Sequence, residues 1–468
     1  MVKGHSAAGS SIPESSLEKR FETFYMPFRE FINDQKTSNA LLLLATIAAI
    51  ILANSPWQAR YFEINNMISG IYIGNWSLAM TNQAWINEGL MAMFFYIIGL
   101  EVKRELLIGE LTSFKKNLTI LAAAIGGMIV PALIYHGFNV NLATEHGWGI
   151  PMATDTAFAI GVLTLLGRRV PASAITFLMT LAIFDDLGAV LVIAIFYTDG
   201  LNLVSLYYAL ITFLLMVIMN HLGIRQVLSY LLGGVMLWIF IHDSGVHASV
   251  SGVLAALTVP AKPKHNVHWF TKKILHLIDK FKKAIRHSKK LNNKEAIAVE
   301  QDIIKDIERV AETSTTPLQR WEKTVRRPIA LLVLPLFALS NAGITIQLES
   351  FTGWFNHASF RGIFLGLILG KCIGISLFTW IVIRSGLGQL PSQMSMQHVY
   401  GLGMLGGMGF TMSIFIASIG FHELTSALSL AKTAILLSSL SAGIVGYFWL
   451  FWIAKGHPLE NSQRASHE

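Results

Sequence analysis

The sequence predicts an all-α polytopic membrane protein of about 12 transmembrane helices, with an inverted-topology repeat, two broken helices (spans 4 and 11) and a short external β-hairpin. Three observations predict it. Of 468 residues, 53% are hydrophobic and 14% charged, with a mean hydropathy of +0.53, far too apolar for a soluble chain of this length. Apolar runs of about 17 to 25 residues, the length a bilayer core demands, recur almost end to end. Lysine and arginine concentrate in every other connection between those runs.

The candidate spans are 38–55, 84–103, 117–137, 149–166, 172–197, 202–221, 226–242, 245–260, 328–345, 361–384, 396–420 and 427–454. One set of connections carries Lys103, Arg104, Lys115 and Lys116, then Arg168 and Arg169, Arg225, Arg384 and Lys455. The alternate set, at 138–148, 198–203, 243–244, 346–360 and 421–426, has neither lysine nor arginine, and Arg60 is the one exception. Basic connections mark the cytoplasmic side, and an even number of spans then places both termini there. The single cysteine, Cys372, excludes an intramolecular disulfide, and no secretory signal is expected before residue 38. The chain therefore divides into a cytoplasmic tail (1–37) with an interfacial helix around Phe21 to Phe31, spans 1–8 (38–260), a cytoplasmic insertion (261–327), spans 9–12 (328–455) and a second cytoplasmic tail (456–468).

The first external connection, Ala59 to Met80, alternates isoleucine, tyrosine and polar residues around Ser69-Gly70 and Gly74-Asn75, a hairpin pattern that a second copy could pair with. The insertion holds 17 Lys/Arg and 8 Asp/Glu, a net +9 against +8 for the whole chain, so the rest is near neutral. The basic excess thus faces an anionic leaflet rather than nucleic acid. Trp269, Phe270, Ile274, Leu277, Ile278, Phe281 and Ile285 recur at helical spacing among lysines, and a second periodic run covers Ala296 to Val310. They predict amphipathic helices lying on the membrane.

A charge within a span costs about 2.5–3.5 kcal/mol on insertion scales, so each needs a partner or a hydrated cavity. The few here are Glu88 and Glu101, Asp155, Asp185 and Asp186, Lys371, and Lys432 near the start of the last span, where it is expected to snorkel to solvent. Adjacent helical residues point about 100° apart, so Asp185 and Asp186 cannot share one partner symmetrically. One can face a hydrated cavity while the other turns to a cation on a neighbouring helix. Such a pair holds a hard cation through oxygen, or holds protons, and not both at once. The fourth span has Pro151 and a polar Thr154-Asp155-Thr156, and the eleventh has five glycines between Gly401 and Gly409. Both read as interrupted helices, whose end charges an acid and a base, Asp155 and Lys371, are suited to offset.

Several motifs carry a resemblance: Gly-Leu-Glu-Val-Lys-Arg-Glu-Leu (99–106), Ala-Thr-Asp-Thr-Ala-Phe-Ala (153–159), Leu-Ala-Ile-Phe-Asp-Asp-Leu-Gly-Ala (181–189), Gly-Val-His-Ala (245–248), Leu-Pro-Leu-Phe-Ala (334–338) and Gly-Phe-Thr-Met-Ser-Ile-Phe-Ile-Ala-Ser (409–418). The chain resembles the NhaA family of bacterial Na+/H+ antiporters over about 36–455, outside the insertion; NhaA is itself a stock example of inverted repeats. The resemblance implies electrogenic exchange of Na+ or Li+ for external protons in the bacterial inner membrane, for pH and sodium homeostasis, by a homodimer with no cofactor and no enzymatic activity. It makes Asp186 the principal Na+ and proton carboxylate and Asp185 the partner of Lys371, with Thr154 and Asp155 at a crossing of broken helices. Glu101, Arg104, Glu105 and His247 become residues of pH response. Glu88 stands where the family often has aspartate, and the insertion replaces a short loop, so that Glu322 and Lys323 both fall near a regulatory glutamate's place. The alternatives are a transporter of the same fold for another ion, a cation channel, and an intramembrane aspartyl protease. The last needs aspartates on separate helices, and Asp185 and Asp186 share one.

Overall fold

The computed structural model describes residues 35–456 apart from Asn75, 109–113, Asp199, 264–265, 289–292 and 346–352. The helix expected around Phe21 to Phe31 and the tail at 456–468 lie outside the described residues, apart from Gly456. Helix α1 (Gln35–Ala53) meets α2 (Gln58–Asn66) at 113° across Asn54 to Trp57. Strands β1 (Ile68–Ile73) and β2 (Trp76–Thr81) then pair antiparallel, Ile68 with Thr81 and Ile73 with Trp76, around Gly74 at φ +62°. The hairpin is thus shorter than the alternation in 59–80 implies. Its first eight residues belong to α2, whose Tyr61 is buried and donates to Leu339 O at 2.6 Å.

A π-helical turn (Trp85–Leu90) leads into α3 (Met91–Ile108), followed by α4 (Phe114–Asn139). A 3-10 stretch (Glu145–Met152) and three extended residues precede α5 (Thr156–Leu165), then α6 (Ala172–Phe196), α7 (Leu203–His221), α8 (Val227–Asp243) and α9 (Val250–Thr258). Helices α10 (Val267–Ser288) and α11 (Asn293–Ser314) pack on each other through buried Leu277, Ile303 and Val310. Helix α12 (Pro317–Pro328), capped by the Thr316 hydroxyl, continues through a π turn (Ile329–Val333) into α13 (Leu334–Asn341). Next come α14 (Ala358–Leu365), a π turn (Gly366–Gly370), α15 (Lys371–Arg384), α16 (Met396–Gly406), α17 (Phe410–Gly420) and α18 (Thr425–Gly456).

Seven helices among the described residues are long and apolar enough to cross a membrane, and nine if each of two bent pairs counts once. The expected spans are not all of that length. Region 245–260 is helical only over Val250–Thr258, because Gly245 (φ +85°) opens a turn and Val259-Pro260 closes the helix.

The longest packing seam joins α4 to α15. A Cβ on Gly126 would strike the carbonyl oxygen of Gly374, and a Cβ on Gly374 that of Gly126, so two missing side chains set this close approach. Gly374→Val is expected to overpack the seam at a cost of about 1–3 kcal/mol, read as a lower thermal midpoint of the purified protein. An unchanged midpoint would mean the seam can open freely.

Candidate functional site

The site is assembled where α6, α15 and two chain breaks meet. Asp185 and Asp186 lie mid-way along α6, 0% and 6% exposed. The first break follows Pro151 and leaves Ala153, Thr154 and Asp155 outside any helix. The second occupies Gly407 to Gly409, between α16 and α17, whose axes differ by 47°. Asp155 ties the breaks together. Its backbone N–H donates to Met408 O at 2.5 Å. Its carboxylate accepts from Phe158 N at the start of α5, and from Thr411 N (3.0 Å) and Thr411 Oγ1 (2.7 Å) at the start of α17. One buried carboxylate therefore caps two helix N-termini, where unpaired N–H groups and the helix dipole both favour negative charge.

Lys371, 0% exposed, opens α15 immediately after the π turn. Its Nζ donates to Asp185 Oδ2 at 2.5 Å, and the Thr154 hydroxyl lies 2.7 Å from the same oxygen and 2.9 Å from Gly406 O, with one proton to give. Of the two charges suited to the helix ends, Asp155 takes that position and Lys371 is committed to Asp185. Asp185 Oδ1 has no hydrogen-bond partner, and Asp186 has none at either oxygen, among the described residues. Asp186 nevertheless feels the charges of Asp185, Asp155, Glu101 and Lys371. Two neighbouring carboxylates are thus made unequal by their surroundings: one is fixed by an ammonium and a hydroxyl, the other has no partner among the described residues. Oxygen donors of this kind suit a proton or a hard cation such as an alkali-metal ion.

The remaining expected residues fall into separate groups. Arg326 on α12 bridges Glu101 (2.6 Å) and Glu322 (2.8 Å), and Glu322, 4% exposed, also meets Arg104 at 3.1 Å. Glu105 is half-buried and outside this network. His247 is remote from it, in the turn before α9, whose far end receives the Lys103 ammonium on Leu257 O and Val259 O. Glu88 bonds His242 Nδ1 at 2.7 Å, beside Trp238, which stacks between Trp85 and His242. Arg326 escaped the reading of the sequence, although the Glu322–Arg326 spacing of four is the signature of an intrahelical ion pair. Lys432 corrects an expectation. It does not snorkel; it is 8% exposed, because α2 and the end of α13 cover the start of α18.

The family model described as Na+/H+ antiporter 1 matches residues 29–450. An Na+/H+ antiporter, NhaA 1 of Saccharophagus degradans, is 43% identical over 438 residues, which cover 94% of each chain. The Na+/H+ antiporter NhaA of Sulfurimonas denitrificans is also 43% identical over 438 residues, covering 94% of this chain and 98% of its own. Among solved structures, the sodium proton antiporter MjNhaP1 of Methanocaldococcus jannaschii aligns over 92% of this chain and 98% of its own, with a TM-score of 0.47 and 13% identity, too distant to bear on the site. With its seven to nine apolar helices and this match over most of its length, the chain is a multi-pass membrane protein that belongs to the Na+/H+ antiporter 1 family.

Proposed function

We propose that the protein exchanges Na+ for H+ across a bacterial inner membrane, with Asp186 as the carboxylate that both ions compete for. The observation that carries this reading is the inequality of the α6 pair, Asp185 held by Lys371 and Thr154 and Asp186 unpartnered. A buried carboxylate cannot stay ionised alone, so Asp186 must exchange one counter-charge for another as the site alternates between the two sides. Li+, a smaller hard cation, is handled in the same way. Exchange is electrogenic, Na+ leaves the cell as external protons enter, and the protein serves pH and sodium homeostasis. It is a transporter and needs no cofactor.

The finer architecture follows from the same reading. Twelve spans, two of them interrupted at 153–155 and 407–409, form an inverted repeat that meets at the midplane, with both termini in the cytoplasm. The hairpin edge, with Ile68, Ile71 and Tyr72 exposed, pairs with a second copy in a homodimer. The basic α10 rests on the anionic cytoplasmic leaflet. Glu101, Arg104, Glu105 and His247 tune the response to pH, the first two through Arg326 and Glu322.

In everted vesicles holding a pH gradient, Na+ and Li+ are expected to dissipate the gradient and K+ to leave it. Dissipation by K+ but not by Na+ removes the substrate assignment. Arg326→Met withdraws a cation from between two carboxylates. With that shared charge gone from Glu101 and Glu322, the pH profile of exchange is expected to move with its maximum rate preserved. A profile that stays in place would show that the network only fastens α12 to α3.

A further inference from the structure

On the hairpin side of the bundle, a cavity of about 250 Å³ lies between α2, Gln83 just before the Trp85–Leu90 turn, the end of α13 and the first two turns of α18. Lys432 lines it. Its side chain is more than nine-tenths buried, yet among the described residues it has no carboxylate and no hydrogen-bond acceptor. Lys371, the other lysine buried in the bundle, has Asp185 as its counter-charge, whereas Lys432 has none among the described residues.

The rest of the lining tells which chemistry fits. Among the described residues, no aspartate or glutamate faces the cavity. The hydroxyls of Thr345, Thr425 and Ser429 line it and make no hydrogen bond to another described residue, so each has a proton to give. The amides of Asn65 and Gln83 complete the polar wall, fixed by donation to Ser340 O and Asn341 Oδ1. Thr425 to Ser429 are the opening residues of a 32-residue helix, whose unpaired N–H groups and dipole favour an anion. A buried ammonium, hydroxyl donors and a helix N-terminus converge on one space that no carboxylate of the described residues lines. We propose that this cavity binds a small monovalent anion from solution, a halide in the first instance, which serves as the counter-ion of Lys432. The cost of burying the lysine is met by that ion rather than by the protein.

The test uses the purified full-length protein at fixed Na+ concentration and ionic strength, with bromide replacing gluconate. The thermal midpoint is expected to rise with bromide and saturate, as linkage to a site on the folded state requires. Lys432→Met should lose that dependence, and Ser429→Val should require more bromide for the same rise. Bromide anomalous scattering from crystals of the unaltered protein is expected to place an ion in the cavity, a reading independent of whether either variant folds. A midpoint insensitive to bromide, a dependence that Lys432→Met retains, or anomalous density that avoids the cavity each overturns the proposal.

Discussion

Asp186→Asn is expected to reduce Na+/H+ exchange to the background of vesicles lacking the protein, while the variant still inserts and folds. Asparagine matches aspartate in size, but it neither titrates nor carries charge, so it cannot hold a proton in one step and a cation in the next. Folding should not suffer, because Asp186 makes no hydrogen bond among the described residues that the substitution would break, and a neutral residue is cheaper to bury. Measured Na+ binding to the purified variant should vanish together with exchange. Asp186→Glu keeps a titrating carboxylate one methylene further out and is expected to retain slower exchange. Substantial exchange by the asparagine variant would remove Asp186 from the principal role and return the choice to Asp185.

Much of this site was legible in the chain because membrane insertion makes charge conspicuous. Two adjacent aspartates stand out in a helix as apolar as α6 because burying charge there is costly. Pro151 and the glycines from Gly401 to Gly409 are likewise conspicuous, and residues 153–155 and 407–409 beside them lie out of helix. Less legible was everything that depends on how helices are rotated and covered. Periodicity does not reveal that Asp155 spans from Phe158 to Thr411, 253 residues apart, since either residue could face any neighbour. Arg326 looked like one more charge in a basic insertion, and only the docking of α12 on α3 brings it to Glu101. Lys432 was misjudged for the same reason. Nearness to a span end suggested solvent, but α2, hidden within what looked like a longer hairpin, closes that end. The helical part of 58–66 was obscured by its isoleucine and tyrosine residues, which suit strands as readily as helices.

Lys371→Met is expected to be the most destabilising substitution in the molecule, and its effect separates scaffold from transport. Removing the ammonium leaves Asp185 fully buried with the Thr154 hydroxyl as its remaining partner. Breaking one half of a buried pair costs about 3–5 kcal/mol, whereas replacing both halves with neutral groups is often near neutral. The thermal midpoint should therefore fall sharply in Lys371→Met and recover in Asp185→Asn/Lys371→Met, a strong coupling in the double-mutant cycle. If the double variant recovers no stability, Lys371 is held by something other than Asp185. Because Asp186 is untouched, the recovered double variant is expected to exchange Na+ for protons at a reduced rate, its altered local charge changing the competition between the ions. A double variant that is stable but silent would mean that the pair must separate and re-form in each cycle, and would make Lys371 a moving part of the exchange instead of the brace that leaves Asp186 alone to carry it.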